Sequence, residues 1–444
     1  MILRSILSFT LLENQTVMRT LLLCMMLFLS LPIFSQTTYL HCGKLVDVVE
    51  GEVLNQYTII ITGETITGVE AGYTTPEGGS EIEVIDLREA TVMPGLFDMH
   101  VHLEHQTSPT RYLERFTQND AQRAFGCIKY AEITLQTGFT TVRDLGGSGI
   151  NIALRDAISN GEVDGPRIFT SGKSIATTGG HADPTNGYNR ELMTDAGPRH
   201  GVADGVDQCR EAVRWRYKNG ADLIKITGTG GVLSVAKSGD NPQFLPEEFH
   251  AIVETADDYG FHVAVHAHGA EGMERAVLAG VTTIEHGTKM TEEVMDLMIE
   301  HQVYLVPTIT AGKTVAEKAA IPNYYPEIIR PKALEIGPMI QNTFAKAYAR
   351  GVPIAFGTDA GVFEHGANWK EFMYMVEAGM PMMECIQSAT MTPATILNIE
   401  DQLGSITAGK LADIIAVEGD PMENPAQMEH VMFVMKEGSV YRHK

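Results

Sequence analysis

Leu96-Phe97-Asp98-Met99-His100-Val101-His102 is the stretch that decides how the rest of the 444-residue chain is read. Side chains alternate across a strand, so both imidazoles point to one side together with Asp98, while Phe97, Met99 and Val101 point to the other. An HxH pair alone is a weak signal. Its weight comes from the pattern of the chain beyond it. From Gly95 onward, apolar strand-like runs alternate with helix-length stretches: Leu96 to His102, Phe139 to Leu145, Arg167 to Ser171, Leu223 to Thr227, His262 to His268, Thr282 to His286, Val303 to Ile309 and Ile354 to Asp359. Eight such units predict an α/β chain folded as a (β/α)8 TIM barrel.

The flanks differ in character. Before the barrel run lie short β-type segments broken by glycine, at Lys44 to Val49, Tyr57 to Thr62, Thr65 to Val69 and Ile82 to Ile85. After Thr392-Pro393 come Ile414 to Val417 and Val431 to Lys436. The expectation is a small β-sandwich built from both chain ends, residues 37–94 and 396–444, around a barrel at 95–395. Residues 1–36 read as an export signal: Met18-Arg19, an almost wholly apolar run from Leu21 to Leu31, Pro32, and cleavage near Ser35 or Gln36. The run is too short to span a bilayer, which takes ~20 apolar residues. Bulky Leu23 before Cys24 disfavours a lipidation site. The chain is thus expected outside the cytoplasm, periplasmic or secreted, with no membrane attachment after cleavage; translation starts at Met1 or Met18.

Composition narrows the partners. With 33 basic against 56 acidic residues and a net charge of -23, the protein repels phosphate backbones and anionic lipid. No nucleic-acid partner is expected, and homo-oligomerisation stays open. Cys42, Cys127, Cys209 and Cys385 are widely spaced without a CxxC pair, so neither a zinc knuckle nor a disulfide framework is indicated.

Five of the eight strands end in a residue able to bind a metal, at the end where this architecture places its active site. Beyond His100 and His102, Lys225 sits on strand four, His262, His266 and His268 share a face of strand five, Glu285-His286-Gly287 ends strand six, and Gly357-Thr358-Asp359-Ala360 ends strand eight. Each has a plainer reading. Lysine heads escape to solvent, lone inward histidines bond within a core, and aspartate caps helices. Jointly these readings fail, because four histidines, a lysine and an aspartate make a donor set suited to zinc. A buried lysine with a depressed pKa can react with carbon dioxide, and the carbamate formed can bridge two ions ~3.5–4 Å apart.

The chain resembles the amidohydrolase superfamily, in the branch of Xaa-Pro and Xaa-Arg/Lys dipeptidases related to imidazolonepropionase. The residues that carry the resemblance are Pro94 to His102, Ile224-Lys225-Ile226, His266-Ala267-His268-Gly269, Ile284 to Gly287, Gly357 to Gly361 and Gly409 to Asp413. By that resemblance His100 and His102 hold a more buried metal, His266 and His286 a more exposed one, carboxylated Lys225 bridges both, and Asp359 completes the buried site. Imidazolonepropionase, mononuclear, lacks the bridging lysine. The implied cofactors are two divalent ions, zinc by donor type.

The implied chemistry is hydrolysis of an amide bond in a dipeptide or N-acyl amino acid by metal-bound hydroxide, with Asp359 as general base and then general acid. His181, in Thr178-Gly179-Gly180-His181, matches a family histidine that hydrogen-bonds the substrate carbonyl. His268, nearer the mouth than His266, occupies a position that in related dipeptidases helps bind the substrate carboxylate. The Gly- and Ser-rich loop from Gly228 to Asn241 is expected to cover the site. Arg143-Asp144 either contributes or forms an internal ion pair, and His365 and Asn368 read as structural. Two alternatives remain: hydrolysis of a lactone, cyclic amide or toxin amide, and a non-catalytic metal-binding barrel. Intact Lys225 and Asp359 speak against the last.

Overall fold

The structure, a computed structural model, describes residues 36–74 and 82–444. The expected export signal, apart from its last residue, lies outside the described residues, as does Cys24. The chain opens with β1 (Thr37–Asp47), β2 (Glu52–Thr62), β3 (Thr65–Ala71) and β4 (Ile82–Pro94). β1 forms a hairpin with β2 and pairs parallel with β4, with a register shift between Cys42 and Lys44. Gly43 sits in that shift because a Cβ there would lie 1.9 Å from the Arg88 carbonyl oxygen. Both strands run further than expected from sequence: β1 begins seven residues before Lys44, and β4 continues through polar Asp86 to Glu89 by virtue of this bulge.

Next come the parallel strands β5 (Leu96–Val101), β6 (Phe139–Asp144), β7 (Arg167–Thr170), β8 (Ile224–Thr227), β9 (Val263–Gly269), β10 (Thr283–Lys289) and β11 (Tyr304–Val306). They form two ladders, β5-β6-β7 and β8-β9-β10-β11. Single parallel bridges link what the ladders leave apart, Ile175 to Ile226, Leu305 to Ile354 and Val101 to Ala360. The eighth expected strand, Ile354 to Asp359, is a correction: it is not a regular strand but an extended segment held at its ends by two of those bridges. Gly357 explains its tightness, since a Cβ there would meet Val306 Cγ1 at 2.4 Å and the His100 backbone nitrogen at 3.0 Å. The helices that flank these strands include α1 (Arg111–Thr117), α2 (Asp120–Gln136), α3 (Ile150–Ser159), α4 (Val206–Lys218), α5 (Pro246–Asp258), α6 (Ala270–Leu278), α7 (Glu292–Glu300), α8 (Ile309–Ala319) and α9 (Arg330–Arg350). Strands β5, β6 and β8 are buried along their whole length, as parallel strands covered by helices must be.

After α10 (Lys370–Glu377), α11 (Met382–Ser388) and α12 (Met391–Ile396), the chain returns through β12 (Ile414–Glu418), β13 (Val431–Lys436) and β14 (Ser439–His443), the last unforeseen from sequence. β12 pairs with β4, so both chain ends enter one seven-stranded sheet, ordered β14-β13-β12-β4-β1-β2-β3. The expected sandwich appears in the pairing as this single hydrogen-bonded sheet. Leu40, Ile59, Ile85, Ile414 and Phe433 share its apolar core, separate from the core between parallel strands and helices. The junction is fixed where Gly95 N donates to Asp413 O at 2.8 Å and Arg167 pairs with Asp413 at 3.0 Å. Cys42, Cys127, Cys209 and Cys385 are buried free thiols. No helix of the described residues is long and apolar enough to cross a membrane.

Candidate metal centre

Two groups of potential metal ligands converge at the C-terminal ends of the parallel strands: His100, His102 and Asp359, and His266, His268 and His286. Within each group the donor atoms lie within 4.8 Å of one another. The hydrogen bonds show which nitrogens remain available. His100 Nδ1 bonds Glu285 Oε2 at 2.8 Å, and His102 Nδ1 donates to the Gly146 carbonyl at 2.9 Å. Burial keeps His100 neutral with a free Nε2, whereas Asp359 outweighs burial and raises the pKa of His102; both Nε2 atoms face Asp359 Oδ1, at 3.7 and 3.3 Å. Two ring nitrogens aimed at one buried carboxylate oxygen call for a cation between them, and this donor set fits a metal ion in that place.

The second group obeys the same logic. His266 Nε2 donates to the Gly230 carbonyl at 3.1 Å, which leaves Nδ1. His286 Nδ1 meets Thr308 Oγ1 at 2.7 Å and His268 Nδ1 meets Thr288 Oγ1 at 2.9 Å, which leaves Nε2 on both. Burial above all keeps these imidazoles neutral; it pushes the pKa of His268 down to about 4 and those of His266 and His286 well below the ordinary value. Lys225 lies beside the first group, its Nζ 3.4 Å from His100 Nε2, and acts on His266 and His286 of the second through space. Desolvation pushes its pKa down to about 8, although Glu285 and Asp359 pull the other way. An amine so shifted is partly neutral near pH 7.5, the form that reacts with carbon dioxide.

Backbone twists place two of these ligands. On β10 the inward face carries Thr283 and Glu285, so His286 would point away if the strand continued regularly. His286 and Gly287 instead take left-handed conformations, with φ +73° and +63°, which turn the imidazole back to the site beside Glu285. Asp359 has φ +62°. Such conformations in non-glycine residues are strained and cluster at functional sites.

Asp98 shares the strand face of His100 and His102 but joins neither group. Its carboxylate accepts from Thr358 N at 3.0 Å, Thr358 Oγ1 at 2.6 Å and Asn368 Nδ2 at 2.8 Å, and so ties β5 to the eighth segment. Asn368 is structural, as expected. His365 bonds the His105 carbonyl at 3.0 Å and stacks on Tyr130. His262 is half-buried with a buried, unpartnered Nε2 and stands outside both ligand groups. Arg143 forms an internal ion pair with Glu285, at 2.8 Å, and not with Asp144, which accepts from Leu103 N and Asn151 Nδ2.

His181 stacks on His266, with ring centroids 4.3 Å apart, and its Nδ1 is buried without a partner. Burial pushes its pKa down to about 3. The ring fits only because residue 231 is glycine: a Cβ there would fall 2.1 Å from His181 Nδ1. Over the ligands lies a cavity of about 560 Å³. The expected covering loop contributes Val232 to Val235 to its wall and is pinned by Lys332, whose Nζ donates to the carbonyls of Gly231, Ser234 and Ala236 at 2.8–3.1 Å. α8 and α9 supply the apolar side, among it Val315, Ile336 and Ile340.

Three residues carried no assigned role on sequence grounds. Glu285 was visible in its motif, but its role needs its partners, His100 and Arg143. Lys332 and Arg111, also a cavity residue, had no signal at all.

The family model described as the amidohydrolase family matches residues 91–442. A solved structure of a Xaa-Pro dipeptidase with bound methionine in its active site is 54% identical, with a TM-score of 0.89, over 92% of this chain and all of that one. A prolidase complexed with N-methylphosphonate-L-proline is 32% identical, with a TM-score of 0.84, over 92% and 100% of the two chains. Ochratoxinase from Aspergillus niger is 30% identical over 433 residues, 92% of this chain and 87% of the relative. The chain belongs to the amidohydrolase family and is an enzyme that hydrolyses amide bonds.

Proposed function

We propose that this protein is a binuclear metal-dependent dipeptidase, cleaving a dipeptide or N-acyl amino acid and releasing the C-terminal residue. The observation that carries the reading is the pair of ligand groups with their free nitrogens and the Asp359 oxygen, together with Lys225 beside His100. On this reading the ladders and bridges form a closed (β/α)8 barrel, residues 95–395, with a β-sandwich from 37–94 and 396–444. The chain is exported after loss of 1–36.

His100, His102 and Asp359 would hold one divalent ion and His266 and His286 the other, with Lys225, once carboxylated, supplying oxygen donors to both; nitrogen and oxygen donors in this number favour zinc. When bound, the ions supply Lewis acidity to the scissile carbonyl and lower the pKa of the attacking water. Asp359 accepts the proton of that water and passes it to the leaving nitrogen. His181 offers a ring N–H to the carbonyl oxygen, and His268 offers Nε2 to the substrate.

The cavity wall supports an apolar released side chain. Val315, Ile336 and Ile340 supply apolar contact. A toxin amide is the second reading, favoured by the similarity to ochratoxinase. The test is a zinc-loaded assay against dipeptides, N-acyl amino acids and ochratoxin. Cleavage of dipeptides with apolar C-terminal residues supports the first reading; ochratoxin alone as substrate supports the second.

A further inference from the structure

Two cations lining the cavity, Arg111 and Lys173, make no side-chain hydrogen bond or ion pair among the described residues, and of the two Arg111 is the one that feels Asp359. Arg111, at the start of α1, is partly buried, and among the described residues its guanidinium makes no hydrogen bond or ion pair. The nearby carboxylate it feels is Asp359, which reaches it through space rather than by contact. Its neighbours differ. Arg115 donates to the Asn186 carbonyl and lies over the rings of Tyr112 and Tyr188, and Arg123 pairs with Asp120. In a chain with 56 acidic against 33 basic residues, an acidic neighbour would be easy to supply. A cation held in a cavity without one is arranged to receive an anion from outside.

We propose that Arg111 binds the free carboxylate of the residue released by hydrolysis. The inference rests on the dipeptide or N-acyl amino acid reading above. In such a substrate the carboxylate carbon lies about 2.5 Å from the scissile nitrogen, so its receptor must share the cavity with Asp359. Arg111 meets that requirement and stands clear of an ion pair with the general base. A guanidinium can also grip both carboxylate oxygens with parallel N–H groups, which the single remaining nitrogen of a neutral His268 cannot. Tyr112, the next residue, donates to the Leu233 carbonyl at 2.9 Å, so the helix that carries Arg111 is tied to the loop over the site.

The experiment compares N-acetyl-L-methionine with its C-terminal amide in the zinc-loaded enzyme, for wild type, R111A and R111K. Wild type is expected to prefer the acid. R111A should raise KM for the acid by ~10–100-fold, the usual worth of a charge-assisted hydrogen bond, with a smaller change in kcat and none on the amide. R111K should recover part of the preference. Calorimetry should show weaker L-methionine binding to R111A at unchanged metal content. An acid-to-amide preference in R111A equal to that of wild type overturns the proposal and leaves the dipeptidase reading intact. If wild type itself cleaves both equally, carboxylate recognition falls with the substrate reading, and no variant is needed to see it. Should R111A not fold, R111Q gives the same comparison.

Discussion

Glu285 and His100 lie 185 positions apart and meet at 2.8 Å, the carboxylate holding Nδ1 of the imidazole so that Nε2 faces Asp359. The other Glu285 oxygen takes the Arg143 guanidinium at 2.8 Å, with all three side chains fully or nearly buried. One carboxylate thus orients a metal ligand and neutralises a cation in the interior. Glu285→Gln should lower metal affinity by ~10–100-fold, as loss of such a supporting bond does. It should also cost the metal-free protein about 3–5 kcal/mol in denaturant unfolding, because Arg143 keeps its charge without a counterion. The pH dependence comes from the shift. Burial raises the Glu285 pKa, but Arg143 and His100 outweigh it and bring it down to about 2. The stabilisation is therefore complete above the ordinary carboxylate range and fades as pH falls toward 2, a dependence the variant should lack.

Lys225 should show its bridging role in stoichiometry. Protein prepared with excess zinc and bicarbonate is expected to bind about two equivalents by elemental analysis, and Lys225→Ala fewer, with partial rescue by short-chain carboxylates. Because only the neutral amine reacts and its pKa is about 8, reconstitution at fixed dissolved carbon dioxide should accelerate roughly tenfold per pH unit below that value and level off above it. A flat profile, or full activity at one equivalent, would refute the bridge.

Asp359→Asn preserves size and removes the proton acceptor. Turnover should drop by ~10²–10⁴, the range for a lost general base, and metal analysis on the same sample separates this from lost metal. Near-normal turnover with both ions bound would end the assignment.

Gly231→Ala probes His181 without touching it. The new methyl group would overlap the ring, and the imidazole must leave its place on His266. Gly231→Ala and His181→Ala should each reduce kcat by ~10²-fold, as for a lost donor to a developing oxyanion, and the double variant should be no worse than either. Additive losses would mean that the two residues act separately.

The candidate residues were legible because side-chain alternation and the ends of apolar runs are local facts, and the resemblance chose His100, His102, Lys225, His266, His286 and Asp359 among them. The structure groups His100 and His102 with Asp359, and His266 and His286 with His268. What escaped depends on distant partners. Asp98 was placed on the face of His100 and His102 without a role, and its carboxylate holds Thr358 and Asn368, some 260 to 270 positions away. Arg111 is marked by contacts it does not make and by its nearness to Asp359, which no sequence pattern records. The eighth segment read as a strand from its apolar residues, whereas crowding at Gly357 leaves it bridged only near its ends. β4 was cut short because charged Arg88 and Glu89 concealed a bulge.

The seam between Pro94 and Ile414 also bears on the order of assembly. The ribosome releases β1 to β4 hundreds of residues before the strands that complete their sheet, so β4 waits with one edge open until the last part of the chain emerges. Contacts of such long sequence separation form slowly. An exposed edge is also a template for pairing with other chains in the meantime. The barrier to reaching the native state should therefore lie at the closing of the two termini rather than at the catalytic strands, and loss of the final thirty residues should leave a synthesised but aggregation-prone chain.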